Sequence, residues 1–169
     1  KIMEMLTEAS IEYVKNQVKS GIDCFQLFET YSGIISNDDY KNFILPLSTK
    51  ILLEARESGV PTIFFPKNFN DGLKYINKEM CDYVSVDYDI SLEYARNLLD
   101  SEVGIQGNMD PKIFYQEIDE IENYLESLIG FGSKNTDWIF NLGHGFRPDI
   151  DHVKVKYVVE WIKNANWKR

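Results

Sequence analysis

The triplet Gly143-His144-Gly145 is the most chemically suggestive feature of the chain. It follows an apolar run, Trp138-Ile139-Phe140, and filling a core does not explain an imidazole at that place. Flanking glycines permit unusual backbone angles and close approach of a ligand. The imidazole could donate a hydrogen bond to a carboxylate or phosphate, or it could cap a tight turn. Four more polar segments follow apolar runs in the same way: Glu29-Thr30-Tyr31-Ser32-Gly33, Pro66-Lys67-Asn68, Asp87-Tyr88-Asp89 and Gly107-Asn108-Met109-Asp110. Asp87 has two readings, a catalytic carboxylate or a loop anchor. Asp110, standing before Pro111, is expected to cap a helix. Lys67 could bind an anion, but one lysine in a polar loop is expected to face solvent, as is His152. Glu117, Asp119, Glu120, Glu122 and Glu126 spread over a helix and read as a solvated face. Cys24, Cys81, His144 and His152 have no metal-ligand spacing, and no dinucleotide, Walker or nucleophile-elbow motif occurs.

The elements that must position these residues follow from apolar periodicity. Ile2, Met5, Leu6, Ala9, Tyr13, Val14 and Val18 keep a helical period that Gly21 is placed to end. Short apolar strands are expected to begin near residues 24, 62, 83, 103 and 138. Between them lie a helical stretch from Ser36 to about Ser58 broken or kinked near Pro46, a short helix to about Met80, and a helix from Ser91 to Leu99. A helical region from Asp110 to about Ile129 and a last helix from Val153 to Asn164 complete the pattern. Strands recurring every ~20 to 38 residues with helices between them are βα units of a parallel sheet, so the fold class is α/β. Two architectures have this pattern: a doubly wound open sheet, or about five of the eight units of a (β/α)8 barrel. The start inside a helix at Lys1 and the loops after the strands favour the barrel. In either case functional residues belong at the carboxyl ends of the strands.

The 169 residues support one domain, and a hydrophobic content of 44% argues against disorder. With 27 acidic against 18 basic residues the net charge is −9, which disfavours nucleic acid or an anionic membrane as partner. No apolar run approaches the roughly 18 residues needed to span a bilayer. Two cysteines far apart in sequence form no disulfide framework, which fits a reducing compartment. A chain that opens on Lys1 without an initiator Met is expected to be part of something longer.

Four segments together carry a resemblance to the uroporphyrinogen decarboxylase family. Gln26-Leu27-Phe28-Glu29-Thr30-Tyr31-Ser32-Gly33 is similar to the family's Q-[IL]-F-[DE]-[ST]-x-x-G, and Val86-Asp87-Tyr88 resembles its L-D-W. Gln106-Gly107-Asn108-Met109-Asp110-Pro111 matches Q-G-N-L-D-P with Met in place of Leu. Asn141-Leu142-Gly143-His144-Gly145-Phe146-Arg147-Pro148-Asp149 matches the N-L-G-H-G-x-x-P-D ending. The resemblance implies a (β/α)8 barrel, with residues 1–169 as the C-terminal portion of one barrel domain supplying about the last five strand-helix units. It implies removal of carboxyl groups from the four acetate side chains of uroporphyrinogen, giving coproporphyrinogen, with no cofactor or metal. By motif, Thr30 would contact substrate through its hydroxyl, Phe28 would line the cleft, and His144 would bind a substrate carboxylate. The family's arginines after the first strand, its pyrrole-binding aspartate and a tyrosine after the third strand have no counterpart here. The fragment alone is therefore expected to be inactive. A homodimer through the loops that include residues 107–111 is implied as well, and a cytoplasmic or plastid location.

The sequence departs from the family in the loop Pro66-Lys67-Asn68-Phe69-Asn70-Asp71-Gly72, in Ser85 for a usual glycine and in Tyr88 for Trp. Three other functions compete. A corrinoid-dependent methyltransferase of the same superfamily would need His-x-Cys where Phe65-Pro66-Lys67 stands. A non-catalytic porphyrinogen-binding module would keep only half the barrel. A phosphate-binding fold would use the glycines around His144 as an anion nest.

Overall fold

In the computed structural model, which describes residues 1–167, five strands form one parallel sheet. They are β1 (Phe25–Glu29), β2 (Thr62–Pro66), β3 (Tyr83–Ser85), β4 (Gly104–Gln106) and β5 (Trp138–Ile139), in the spatial order β1-β2-β3-β4-β5. This order decides between the two architectures. A doubly wound sheet reverses its strand order at a switch point and carries helices on both faces. Here every crossover steps in the same direction. With right-handed crossovers that puts the helices on one side, the winding of a barrel wall.

Alternation along the strands assigns the two faces. Phe25 and Leu27 of β1, Thr62 and Phe64 of β2, Val84 of β3 and Ile105 of β4 are in register across one face. That face lies under the helices and supplies much of the larger core cluster, which Val14, Leu52 and Ala55 join from the helices α1 (Ile2–Lys19) and α3 (Leu45–Glu57). The opposite, inner face carries Gln26, Phe28, Ile63, Phe65, Tyr83, Ser85 and Gln106 by the same registers. A smaller cluster joins α5 (Ile118–Ser127) to α7 (His152–Asn164) through Ile121, Leu125 and Val158, with Met109 and Phe114 beneath.

Glycine and proline end or bend the helices where expected. Gly21 and Gly59 both take φ +81°, the left-handed conformation that closes a helix, just beyond α1 and α3. Ser36 caps the single turn α2 (Asn37–Asp39), and its hydroxyl accepts from the Asp39 N–H at 3.1 Å. A π-helical turn, Tyr40–Ile44, then leads into α3. Pro46 explains it: the ring cannot donate and would crowd the carbonyl four residues back, so the turn ahead of it widens.

Two helical expectations are corrected. The stretch to Met80 is only a 3-10 helix, Asn70–Tyr75. The region from Asp110 is not one helix: a 3-10 segment, Pro111–Tyr115, is followed by α5 and then α6 (Ile129–Lys134). Glu117 and Glu120 form a reciprocal capping box that restarts the chain as α5. These two acids are thus a helix start rather than only a solvated face. The remaining helix, α4 (Leu92–Leu98), begins at Ser91, whose hydroxyl accepts from Tyr94 N–H.

The amino-terminal rim of the sheet is pinned by charge. Asp82 accepts from the Thr62 N–H at 3.0 Å and hydroxyl at 3.1 Å, and from Lys78 Nζ at 2.9 Å. Burial opposes ionisation of Asp82, but these donors prevail and hold its carboxyl below the usual value. Arg96 of α4 donates to the carbonyls of Val103 and Asp100 at 2.8 and 2.5 Å and to the Asp137 carboxylate at 3.1 Å, tying the starts of β4 and β5 together. No helix among the described residues is long and apolar enough to cross a membrane.

Candidate functional site

The five loops at the carboxyl ends of the strands are joined into one rim by short contacts. After β1, the Ser32 hydroxyl donates to the carbonyls of Glu29 and Lys67, at 2.9 and 2.6 Å, and the Lys67 N–H returns to the Glu29 carbonyl. Gly33 packs so close to Asn68 that a Cβ there would stand 2.3 Å from the Asn68 Cβ. Asn68 itself takes φ 59° and donates its N–H to Asp87 Oδ2 at 2.6 Å. The other carboxylate oxygen of Asp87 receives the Asp89 N–H at 3.1 Å. Asp87 is 2% exposed and both its oxygens hold backbone, so the structure takes the loop-anchor reading.

The same rim continues through β4 and β5. Asn108 is buried and donates its amide to the carbonyls of Asp87 and Ile90, at 2.8 and 2.5 Å. Gly107, at φ 125°, has the Val86 carbonyl where a side chain would be, at 2.7 Å. Met109 and Leu142 form a parallel bridge beyond the ends of β4 and β5, and the Gly143 N–H donates to the Met109 carbonyl at 2.9 Å. A Cβ on Gly143 would meet the Tyr88 nitrogen at 2.4 Å. The flanking glycines therefore differ in purpose. Gly143 allows backbone to press against backbone, whereas Gly145 has open space around it.

A cleft of about 410 Å³ opens beside this rim. Gln26, Phe28, Phe65 and Ser85 line it from the inner face of the sheet, and Asn141, His144 and Phe146 from the segment after β5. Val155, Val158 and Val159 of α7 and Phe114 complete an apolar wall. Phe28 is 61% exposed, and its ring meets that of Phe65 edge to face at 6.0 Å between centroids. His144 is exposed, with Nδ1 3.4 Å from the Gly145 carbonyl. An exposed aromatic surface beside polar hydrogen-bonding groups suits a flat, apolar ligand that carries acceptors at its edges.

Phe28 and His144, selected from the sequence, border the same cleft. Thr30 does not line it; it is exposed in the turn just beyond β1, two residues after Phe28. Asp110 caps the 3-10 segment by accepting from Lys112 N–H at 2.8 Å. His152 is exposed beside Asp151 at the start of α7, and Lys67 is half-buried rather than exposed. Gln26, Phe65, Ser85 and Phe146 had no site role from the sequence, where Ser85 stood out only as a departure from the family's usual glycine. Gln26 had a signal: it is the one polar residue inside the apolar run Cys24 to Phe28.

Behind β1, on the helix side, the Glu29 carboxylate accepts from the Ser48 hydroxyl at 3.1 Å. Burial pushes the Glu29 carboxyl above its ordinary value, and the Ser48 donor opposes this in part. Tyr40, buried near it, has its hydroxyl pushed up by burial and by the Glu29 charge. Its oxygen has no hydrogen-bond partner among the described residues.

The four segments whose sequence resembles one family thus meet on one rim, each at the carboxyl end of a strand. The family model described as uroporphyrinogen decarboxylase (URO-D) matches residues 1–165. The chain belongs to the uroporphyrinogen decarboxylase family. Among relatives in this family, a protein named uroporphyrinogen decarboxylase from Vesicomyosocius okutanii is 32% identical over 163 residues, 95% of this chain and 47% of that protein. Another of that name, from Chlorobium luteolum, is 33% identical over 172 residues, 99% of this chain and 49% of that protein. The chain spans about half the length of these relatives. Among solved structures, a methyltransferase from Methanosarcina mazei superposes with a TM-score of 0.71 over 91% of this chain and 45% of that one. At 20% identity this likeness speaks for a shared α/β fold alone.

Proposed function

We propose that the chain is the C-terminal portion of a single barrel domain, and that the complete protein decarboxylates the four acetate side chains of uroporphyrinogen to give coproporphyrinogen. The observation that carries this reading is the convergence of the four family-like segments on one rim, with Phe28 and His144 on one cleft. The chemistry asks little of the protein beyond binding and exclusion of water. A proton added to the electron-rich pyrrole makes the ring an electron sink. The bond to the acetate carboxylate then breaks, CO2 leaves, and its electron pair neutralises the ring. The methylene carbon takes a second proton as the ring returns the first, so each acetate becomes a methyl group at the net cost of one proton.

In this scheme Phe28 and Phe65 form the dry wall against a pyrrole, and the His144 imidazole donates to a substrate carboxylate. Thr30, at the rim, offers its hydroxyl as the substrate enters. The arginines, the aspartate and the tyrosine that the resemblance places ahead of residue 1 supply the remaining groups. Residues 1–169 alone are accordingly expected to be inactive. The complete enzyme is expected to be a cytoplasmic homodimer that uses the loop at residues 107–111.

The test is uroporphyrinogen decarboxylation with product chromatography, on the complete protein beside the 169-residue chain. Coproporphyrinogen from the complete protein, slowed in His144→Ala, supports the reading. An inert complete protein that transfers a methyl group from a corrinoid would replace it with the methyltransferase alternative. Activity in the short chain would overturn the expectation that groups outside it are required.

A further inference from the structure

One transverse row on the inner face of the sheet has two chemically distinct halves. On β1 and β2, Phe28 and Phe65 are register partners and form the edge-to-face ring pair. On β3 and β4, Ser85 and Gln106 are register partners, and Gln106 Nε2 donates to Ser85 Oγ at 3.1 Å. These two polar side chains are only 3% and 5% exposed, yet Ser85 borders the cleft along with Phe28, Phe65 and His144.

A hydroxyl has one proton to donate and two lone pairs. Gln106 occupies a lone pair of Ser85 and so fixes the direction of the remaining groups. No protein acceptor receives the Ser85 proton among the described residues. Asp87, two residues further along the chain, already accepts from the backbone N–H groups of Asn68 and Asp89. Buried donors are almost always satisfied, so one left free at a cleft wall calls for an acceptor on the occupant of the cleft. The imidazole of His144 is a second potential donor in the same space. Two donors beside an aromatic wall define a ligand with an apolar ring and an anionic edge.

We propose that Ser85, oriented by Gln106, donates a hydrogen bond to a side-chain carboxylate of the substrate and is a specificity-determining residue of the cleft. The identity of that substrate rests on the decarboxylase reading above. The Phe28–Phe65 half of the row takes the ring and the Ser85–Gln106 half takes the carboxylate arm. Hydrogen bonds to an ionised acceptor are the stronger kind, so deletion of the hydroxyl has a measurable effect.

The complete protein serves as the test, unaltered and as Ser85→Ala, Ser85→Gly and Ser85→Thr. Fluorescence titration follows binding of uroporphyrin, which has acetate and propionate arms, and of coproporphyrin, which keeps only propionates. Ser85→Ala should weaken uroporphyrin binding about tenfold and raise KM for uroporphyrinogen by a similar factor with kcat nearly unchanged. Ser85→Gly should behave alike, and Ser85→Thr, which keeps the hydroxyl, should recover most of the loss. Weaker binding of uroporphyrin alone assigns the contact to an acetate; weaker binding of both porphyrins assigns it to a propionate. Unchanged affinity for both in folded Ser85→Ala and Ser85→Gly overturns the proposal while leaving the decarboxylase reading intact. An unaltered protein that neither binds the porphyrins nor converts uroporphyrinogen overturns both.

Discussion

Gly143 and Gly145 flank His144 symmetrically in sequence and play unlike parts in space. Gly143 is buried with the backbone of Asp87 and Tyr88 against it, and the nearest of those atoms is a main-chain nitrogen at 2.4 Å from any added Cβ. A backbone atom cannot swing aside as a side-chain tip can. Gly143→Ala should therefore cost about 1–3 kcal/mol in urea unfolding, as overpacking does. Gly145→Ala meets nothing within 4 Å and should leave the unfolding midpoint nearly unchanged. Equal losses for both variants would show that the close approach is not what the first glycine serves. Asp87 teaches the same lesson: its type and place fitted catalysis or anchoring equally, and only its two backbone partners decided.

At the scale of elements, β1 and its loop depend on what lies behind them. Glu29 is pushed up by burial against α3, so the folded chain holds its proton more tightly than the unfolded chain does. The sign follows: its contribution to stability falls as pH rises from the ordinary value of 4.5 through the folded value. Glu29→Gln removes the titration and keeps the shape. Urea unfolding across that pH range should show the variant gaining on the unaltered protein as pH rises, and a constant difference would refute the linkage. At the other rim, Arg96 holds two carbonyls and the Asp137 carboxylate. Arg96→Ala should cost about 1–3 kcal/mol, lowering Tm by roughly 2–4 °C per kcal/mol for a chain of this size. Calorimetry of the two proteins checks this, and an unchanged Tm would mean the strand starts hold without the guanidinium. The helix from Asp110 that breaks into three pieces was half legible. The Asp110-Pro111 start was plain in the sequence, but the Glu117–Glu120 box was hidden inside a longer acidic run.

At the scale of the molecule, the sequential sheet leaves β1 and β5 with one strand neighbour each among the described residues. The inner face is also open, with Phe28 61% and Ile139 38% exposed. Unpaired edges beside apolar surface promote association of chains. The isolated 169-residue chain should therefore sediment as a concentration-dependent mixture. Ile139→Lys, which puts a charge on the edge strand, should shift it towards monomer. A single monomeric boundary at all concentrations for the unaltered chain would contradict this.

Much of this was legible in the chain itself because local chemistry determines it. Apolar periodicity located the five strands, the glycines after α1 and α3 ended those helices, and the four family-like segments identified the family without any coordinates. Such features depend on neighbours in sequence, and sequence records those neighbours directly. The order of the strands, the face to which Gln26, Phe65 and Ser85 point, and the partners of Asp87 and Gly143 depend on residues tens of positions away. A pattern of alternation fixes which residues share a face, but not what that face meets. Only packing the strands in register settled that Phe28, Ser85 and His144 border one cleft.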